Sequence, residues 1–151
     1  MPNQIEATTL TGIEQPRGDG IELPRGAGFQ PASSIDCAYA AAEALRERGP
    51  AVAVITLGAL GAVAVADGVR IHVPAFAVNV VDTVGAGDAF CAALAVRHAE
   101  GTALADAVRF ATAAGAVACT RPGAEPAMPR RLDVEALLAI PESATRQGAT
   151  S

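Results

Sequence analysis

The 151-residue sequence contains no lysine, and its eleven basic residues are all arginine, scattered along the chain. The missing amine removes a Walker-type phosphate lysine, a Schiff-base lysine and a lysine nucleophile from the available chemistry. With a formal net charge of -5 and no basic stripe, a nucleic-acid partner is excluded as well. Aromatic residues are scarce, and charged residues make up 18% of the chain, below the roughly 25% of an average globular protein. No apolar run reaches the roughly 20 residues of a membrane span; residues 51–66 come nearest and are broken by Gly58 and Gly61. Met1 to Glu6 carries neither the basic nor the apolar region of a secretory leader. Cys37, Cys91 and Cys119 lie far apart in Ala-rich surroundings, which points to buried free thiols and a cytoplasmic protein.

What is present is Ala, Val and Gly, with 51% of residues apolar, a composition for tight helix-on-sheet packing in one unit. Residues 4–11 read as a short helix, residues 12–33 as an irregular insertion rich in Pro, Gly and Arg, and residues 141–151 as a disordered polar tail. Between them, Ile35, Ala38, Tyr39, Ala42 and Leu45 recur at helical spacing before Gly49, and residues 51–56 read as a buried central strand. Residues 62–66 and 69–73 are β-rich runs joined by Asp67-Gly68, the signature of a hairpin. A third extended run is expected at 77–81, then helices at 88–99, 104–119 and 133–140. Helix, strand, hairpin, strand, helix, helix is an α/β order with a mixed sheet.

The informative segment runs from Val80 to Phe90 and reads Val-Val-Asp-Thr-Val-Gly-Ala-Gly-Asp-Ala-Phe. Two glycines let backbone approach a phosphate, and the free N–H groups and positive end of the following helix point at negative charge. Asp88 in the first turn suits a base held beside that phosphate, as phosphoryl transfer needs. Gly85 and Gly87 could equally shape a turn, with Asp88 stabilising the helix end. A dinucleotide fingerprint fits poorly, because Phe90 stands where its third glycine belongs and no early acidic ribose partner follows.

Taken whole, the Asp82 to Phe90 segment resembles the C-terminal signature of the ribokinase-like (PfkB) family of carbohydrate kinases. The resemblance implies that Asp88 is the base that deprotonates the acceptor hydroxyl, and that the N–H groups of Gly85, Ala86 and Gly87 stabilise the transferring γ-phosphoryl. Thr56-Leu57-Gly58-Ala59-Leu60-Gly61 resembles the family's turn over the nucleotide, and by that likeness Thr56, Gly58 and Gly61 line ATP; alone it reads as a turn between two strands. Asn3 and Glu6, in Pro-Asn-x-x-Glu, resemble the residues that support Mg²⁺ and phosphate in these kinases, and would otherwise be a helix capping box. Residues 118–129 resemble the loop that holds K⁺ in ribokinases. The implied ligands are Asp82 and the carbonyls of Val84, Ala118, Arg121 and Gly123, with Ala127 where a serine hydroxyl is expected; the plain alternative is a Pro/Gly loop that ends a helix.

The resemblance runs from Pro2 to about Ile140 and implies the C-terminal half of a ribokinase-like three-layer fold, without the part that carries the lid and the sugar-binding motif. Expected partners are ATP and a small sugar, ribose first, with no nucleic acid or membrane and a homodimer as an option for the full-length form. The alternative is a truncated nucleotide-binding fragment without activity. His72, His98, Arg97 and Arg109 are expected to be structural, the two arginines as surface charges on Ala-rich helices.

Overall fold

Residues 34–141 are described by the computed structural model; the expected helix at 4–11 with Asn3 and Glu6, the segment 12–33 and the tail from residue 142 lie outside the described residues. The chain divides into two units, the first holding residues 34–57 and 63–72 and the second 58–62 and 73–141.

In the first unit, helix α1 (Ser34–Arg46) packs on a three-stranded sheet in the order β1 (Val52–Thr56), β2 (Ala62–Ala66), β3 (Val69–Val73). Ala62 and Val73 fall across the division. The turns between strands are too short for a crossover, so neighbours run antiparallel. Ala38, Ala41 and Ala42 form the buried stripe of α1 and meet Ala53, Ile55, Leu57, Val63 and Val65. The helix repeat of three and four residues thus faces the strand repeat of two. Val54 and Ala64, on the opposite pleat, are buried too. Gly49, with φ 122°, ends the α1 segment. At the surface Arg46 pairs with Asp67 and Arg70 with Glu43, each at 2.5 Å, and the Arg70 guanidinium lies 5.4 Å from the Tyr39 ring centre.

The hairpin forms as expected, with Gly68 alone taking a positive φ. Among the described residues β1, expected to be central, has β2 as its one neighbour, with β2 in the middle. One other expectation is corrected. Residues 77–81 form no strand: the amides of Val81 and Asp82 both donate to the Cys119 carbonyl (2.8 and 3.2 Å), so the run is tethered to a helix end instead of a ladder.

In the second unit a 3-10 turn (Gly58–Leu60) leads to Gly61, whose φ is 92°. A methyl group at Gly61 would lie 1.9 Å from the Val73 carbonyl oxygen and 2.6 Å from the Pro74 carbonyl carbon. Helices α2 (Ala86–Ala99), α3 (Leu104–Ala118) and α4 (Arg131–Leu138) follow, with a 3-10 turn at Glu125–Ala127. Helix α3 is the axis of this unit and buries Ala107, Val108, Ala111, Ala113, Ala114 and Ala118 almost completely. Phe110, Ala113, Ala114 and Val134 close a core between α3 and α4. The Arg130 amide donates to Asp133 Oδ2 (3.0 Å) and caps α4.

Arg97 is not the surface charge expected. Its side chain is only 26% exposed, its guanidinium sits 5.1 Å from the Phe110 ring centre, and it donates to Glu100 at 2.8 Å. Arg131 covers the same ring at 5.8 Å and also binds Glu100. Two guanidiniums therefore share one aromatic ring and one carboxylate, an arrangement suited to arginine and not to an ammonium.

Two outcomes follow for stability. Gly58→Ala meets open space and should cost only the roughly 1–2 kcal/mol of a left-handed alanine. Gly61→Ala adds a collision with backbone and should cost at least about 1–3 kcal/mol more, read from urea denaturation midpoints. Second, hydrogen bonding by Arg131, with Arg97 beside it, holds the Glu100 carboxyl below its usual range. Its contribution is complete above the unfolded glutamate value of about 4.3 and is lost as pH falls through the lower folded value. Between about pH 5 and pH 3 the wild type should lose stability more steeply than Glu100→Gln; parallel slopes would contradict the clamp.

Candidate functional site

Helix α2 begins two residues earlier than its sequence suggests. Ala86, Gly87 and Asp88 are its first three residues, and Gly85 precedes them with φ 80° and ψ -5°. The left-handed Gly85 turns the chain from the extended run into the helix. The Ala86 amide turns back to the Thr83 carbonyl (3.3 Å), and the Ala89 amide to the Gly85 carbonyl (2.9 Å). Among the described residues the amides of Gly87 and Asp88 donate to no backbone carbonyl, as the start of a helix requires. Gly87 and Asp88 are exposed.

The glycines here have different reasons. A methyl at Gly85 would press on the Ala124 Cα and the Met128 Cε, each at 3.1 Å, in addition to the strained φ. Gly115, inside α3, lets that helix approach α2 so closely that a methyl would lie 3.2 Å from the Ala86 carbonyl oxygen. Gly87 has an ordinary φ and nothing within 4 Å of where a methyl would stand. Neither conformation nor packing accounts for a glycine there, and the open space borders the uncommitted amides.

Asp82 ties this turn to the chain after α3. Its Oδ1 accepts from the Val84 amide (3.0 Å) and its Oδ2 from the Gly123 amide (2.9 Å). These two bonds, Val84 first, hold its carboxyl below the usual range. Burial, with the Asp82 charge, pushes the Cys119 thiol up. Thr120 Oγ1 donates to the Val117 carbonyl (2.7 Å), and the Arg121 amide to the Ala118 carbonyl (3.4 Å). These bonds bring Asp82, Val84 and Gly123 together beside Gly85 at the start of α2, with Ala118 and Arg121 on the segment that Gly123 belongs to. Gly58 and Gly61 belong to the same unit, whereas Thr56 ends β1 in the first. The expected nucleotide role of Gly61 has a competing cause, because its own chain fills the space a side chain would take. His98 lies ten residues along α2 from Asp88, about 15 Å at 1.5 Å per residue, and His72 sits in β3. Cys37 is buried and Cys91 and Cys119 are half-buried, all three free.

The contacts of Ala124 and Met128 with Gly85, and the part played by the Cys119 carbonyl, escape sequence reasoning. An isolated glycine in an Ala-rich helix, Gly115, is the one available signal of close approach. Among the described residues no group of three His, Cys, Asp or Glu side chains could hold a metal ion, and no helix is long and apolar enough to cross a membrane.

Residues 1–131 match the profile described as pfkB family carbohydrate kinase. A ribokinase of Bacillus subtilis (strain 168) is 44% identical over 89 residues, 59% of this chain and 30% of that protein. The structure of Arabidopsis thaliana ribokinase complexed with ribose and ATP superposes with a TM-score of 0.73 at 31% identity, covering 93% of this chain and 40% of the other. Phosphofructokinase-2 from Escherichia coli, solved in complex with potassium, gives 0.72 at 28% identity over 91% of this chain and 39% of the other. The chain spans about a third of the length of the curated relatives it matches.

The glycine contrast is testable without any ligand. Gly87→Ala should leave stability unchanged or raise it by up to about 1 kcal/mol, since alanine is the better helix former. Gly85→Ala should lower stability by roughly 1–3 kcal/mol. Thermal melts of the two variants check the order.

Proposed function

The chain belongs to the pfkB family of carbohydrate kinases, and from that premise we propose that it provides the nucleotide-binding and catalytic part of an ATP-dependent kinase acting on a sugar hydroxymethyl group, ribose first. The observation that carries the reading is the first turn of α2, where uncommitted amides, a glycine the fold does not need and the Asp88 carboxylate stand within three residues. The amides of Gly85, Ala86 and Gly87 are assigned the charge that develops on the γ-phosphoryl oxygens; of the three, the Ala86 amide also donates to the Thr83 carbonyl (3.3 Å). Asp88, exposed and one residue further into the helix, accepts the acceptor hydroxyl proton. Because dipoles take up phosphate charge, the carboxylate stays available as a base. Gly58 and Gly61 lie on the turn assigned to ATP, with Thr56 at the end of β1 before it.

Magnesium bound with ATP supplies neutralisation of the phosphate charge. Asn3 and Glu6, the residues assigned to support it, lie outside the described residues. For potassium the fit is partial. The carbonyls of Val84, Ala118, Arg121 and Gly123 stand on the two segments that Asp82 joins; the Asp82 oxygens and the Ala118 carbonyl each accept one amide and keep a further lone pair, but the fully buried Ala127 brings no oxygen where a hydroxyl is expected. These residues do not complete a potassium cradle, and no step is routed through the ion.

Ribose rests on the names of ribokinase relatives and on the Arg121 to Pro129 sequence. A phosphofructokinase-2 of comparable likeness makes a second sugar acceptor the control for ribose. A cytoplasmic site of action is proposed as well, supported by three free thiols, and a homodimer is proposed for the full-length form. A second reading, a nucleotide-binding fragment without transfer activity, is favoured by the length of the chain relative to its relatives.

ATP with Mg²⁺ titrated calorimetrically into the folded chain should bind under either reading, and no binding would remove both. Transfer to ribose, measured on the chain alone and on a version joined to the upstream portion of a full-length relative, separates them. In the version that turns over, Asp88→Asn should reduce turnover by roughly 10²–10⁴-fold while ATP affinity moves little. Near-full turnover would place the base elsewhere.

A further inference from the structure

The carboxylate of Asp82 reaches two segments that are distant in sequence. Val84 lies two residues on, and Gly123 forty-one. Three hydrogen bonds cross between residues 81–82 and 119–123: Val81 and Asp82 amides to the Cys119 carbonyl, and the Gly123 amide to Asp82 Oδ2. Directly beyond this seam, Gly85 rests against Ala124 and Met128. A shift of the loop after α3 therefore displaces the residue that opens α2. The carboxylate charge itself faces two amide donors, the pairing that makes a hydrogen bond short and strong.

Deepening the anion-site reading, on which it rests, we infer that Asp82 is a positioning residue that fixes residues 119–124 to the start of α2 by backbone hydrogen bonds, and that in this chain the bracket takes the place of a monovalent cation. A cation would draw on the Asp82 oxygens and the surrounding carbonyls for its coordination. Here the carboxylate already spans both segments, and the position that could add a hydroxyl is Ala127, a buried methyl. Two N–H donors close the gap that an ion would close by collecting oxygens.

Amide hydrogen exchange read by NMR tests this with no ligand present. In choline chloride without potassium, the Val84 and Gly123 amides should be protected, and replacing choline by potassium at equal ionic strength should change their exchange less than twofold. Asp82→Ala should expose both. Asp82→Asn, which keeps a single carbonyl oxygen in the side chain, should retain protection at one of them at most. Circular dichroism melts establish that the variants remain folded, and if Asp82→Ala does not fold, Asp82→Asn and the cation comparison decide. Protection that needs potassium, or that survives in either variant at both amides, overturns the proposal.

Nucleotide binding supplies the positioning readout. Titrated with ATP and Mg²⁺, wild type should bind equally in choline and potassium. Asp82→Ala should bind about tenfold more weakly or worse, the scale of one lost hydrogen bond to a charged group, and Asp82→Asn should recover part of the loss. Unchanged affinity in Asp82→Ala, or wild-type binding that is tighter in potassium by fivefold or more, counts against it. Absence of ATP binding by the wild type overturns the kinase reading instead, and the exchange data still decide the bracket.

Discussion

The start of α2 is fixed by backbone lying on backbone. Gly115 lets α3 come to the Ala86 carbonyl, Gly85 accepts Ala124 and Met128 at its back, and Asp82 draws the chain after α3 onto the turn. The two glycine contacts work at distances that a single added methyl would spoil. An anion site built from peptide dipoles depends on such fixation, because dipoles stabilise charge in proportion to how little they must reorganise. The same three contacts stand behind the exposed pair of amides, so the helix that carries them is held by its own neighbours.

Small residues are the common means. Alanine and glycine on α3 give close helix approach, and the alanine stripe on α1 does the same against β1 and β2. Larger side chains appear where space remains, and there they bring specific partners. Phe110 takes two arginines against its ring, and Glu100 pairs with both. A chain with no lysine can use guanidinium stacking in both places, joining the end of α2 to the middle of α3 and the start of α4.

The hairpin, the helices and the phosphate-type turn were legible in the sequence because each has a local cause: Asp67-Gly68 for a reversal, apolar repeats for helices, a Gly-Ala-Gly run for exposed amides. What could not be read depends on partners far along the chain. Residues 77–81 read as a strand would, yet at the end of the run the Val81 and Asp82 amides go to Cys119, and an apolar pattern does not say what the backbone pairs with. The Gly-Ala-Gly run looked like turn throughout, whereas tertiary contact carries the helix back to Ala86 against the preference of glycine. Arg97 looked solvent-exposed because its neighbours in sequence are small; Phe110, thirteen residues on, covers it. Of the candidate site, the sequence offered the residues as candidates, and the pair of hydrogen bonds that Asp82 accepts from Val84 and Gly123 was not legible, since no spacing rule connects positions 82 and 123. Asn3 and Glu6 remain known from sequence alone.

The alanine-built cores also set how the fold meets temperature. A buried alanine removes one methyl from water where a leucine would remove a whole isobutyl group, so these cores hide little apolar area for the number of residues they use. The heat-capacity increase on unfolding scales with the apolar area exposed, about 0.45 cal/K/mol per Å². A chain packed this way has a shallow stability curve: its folding free energy changes slowly between cold and warm, and its native state relies on contact distance more than on the temperature-sensitive release of water.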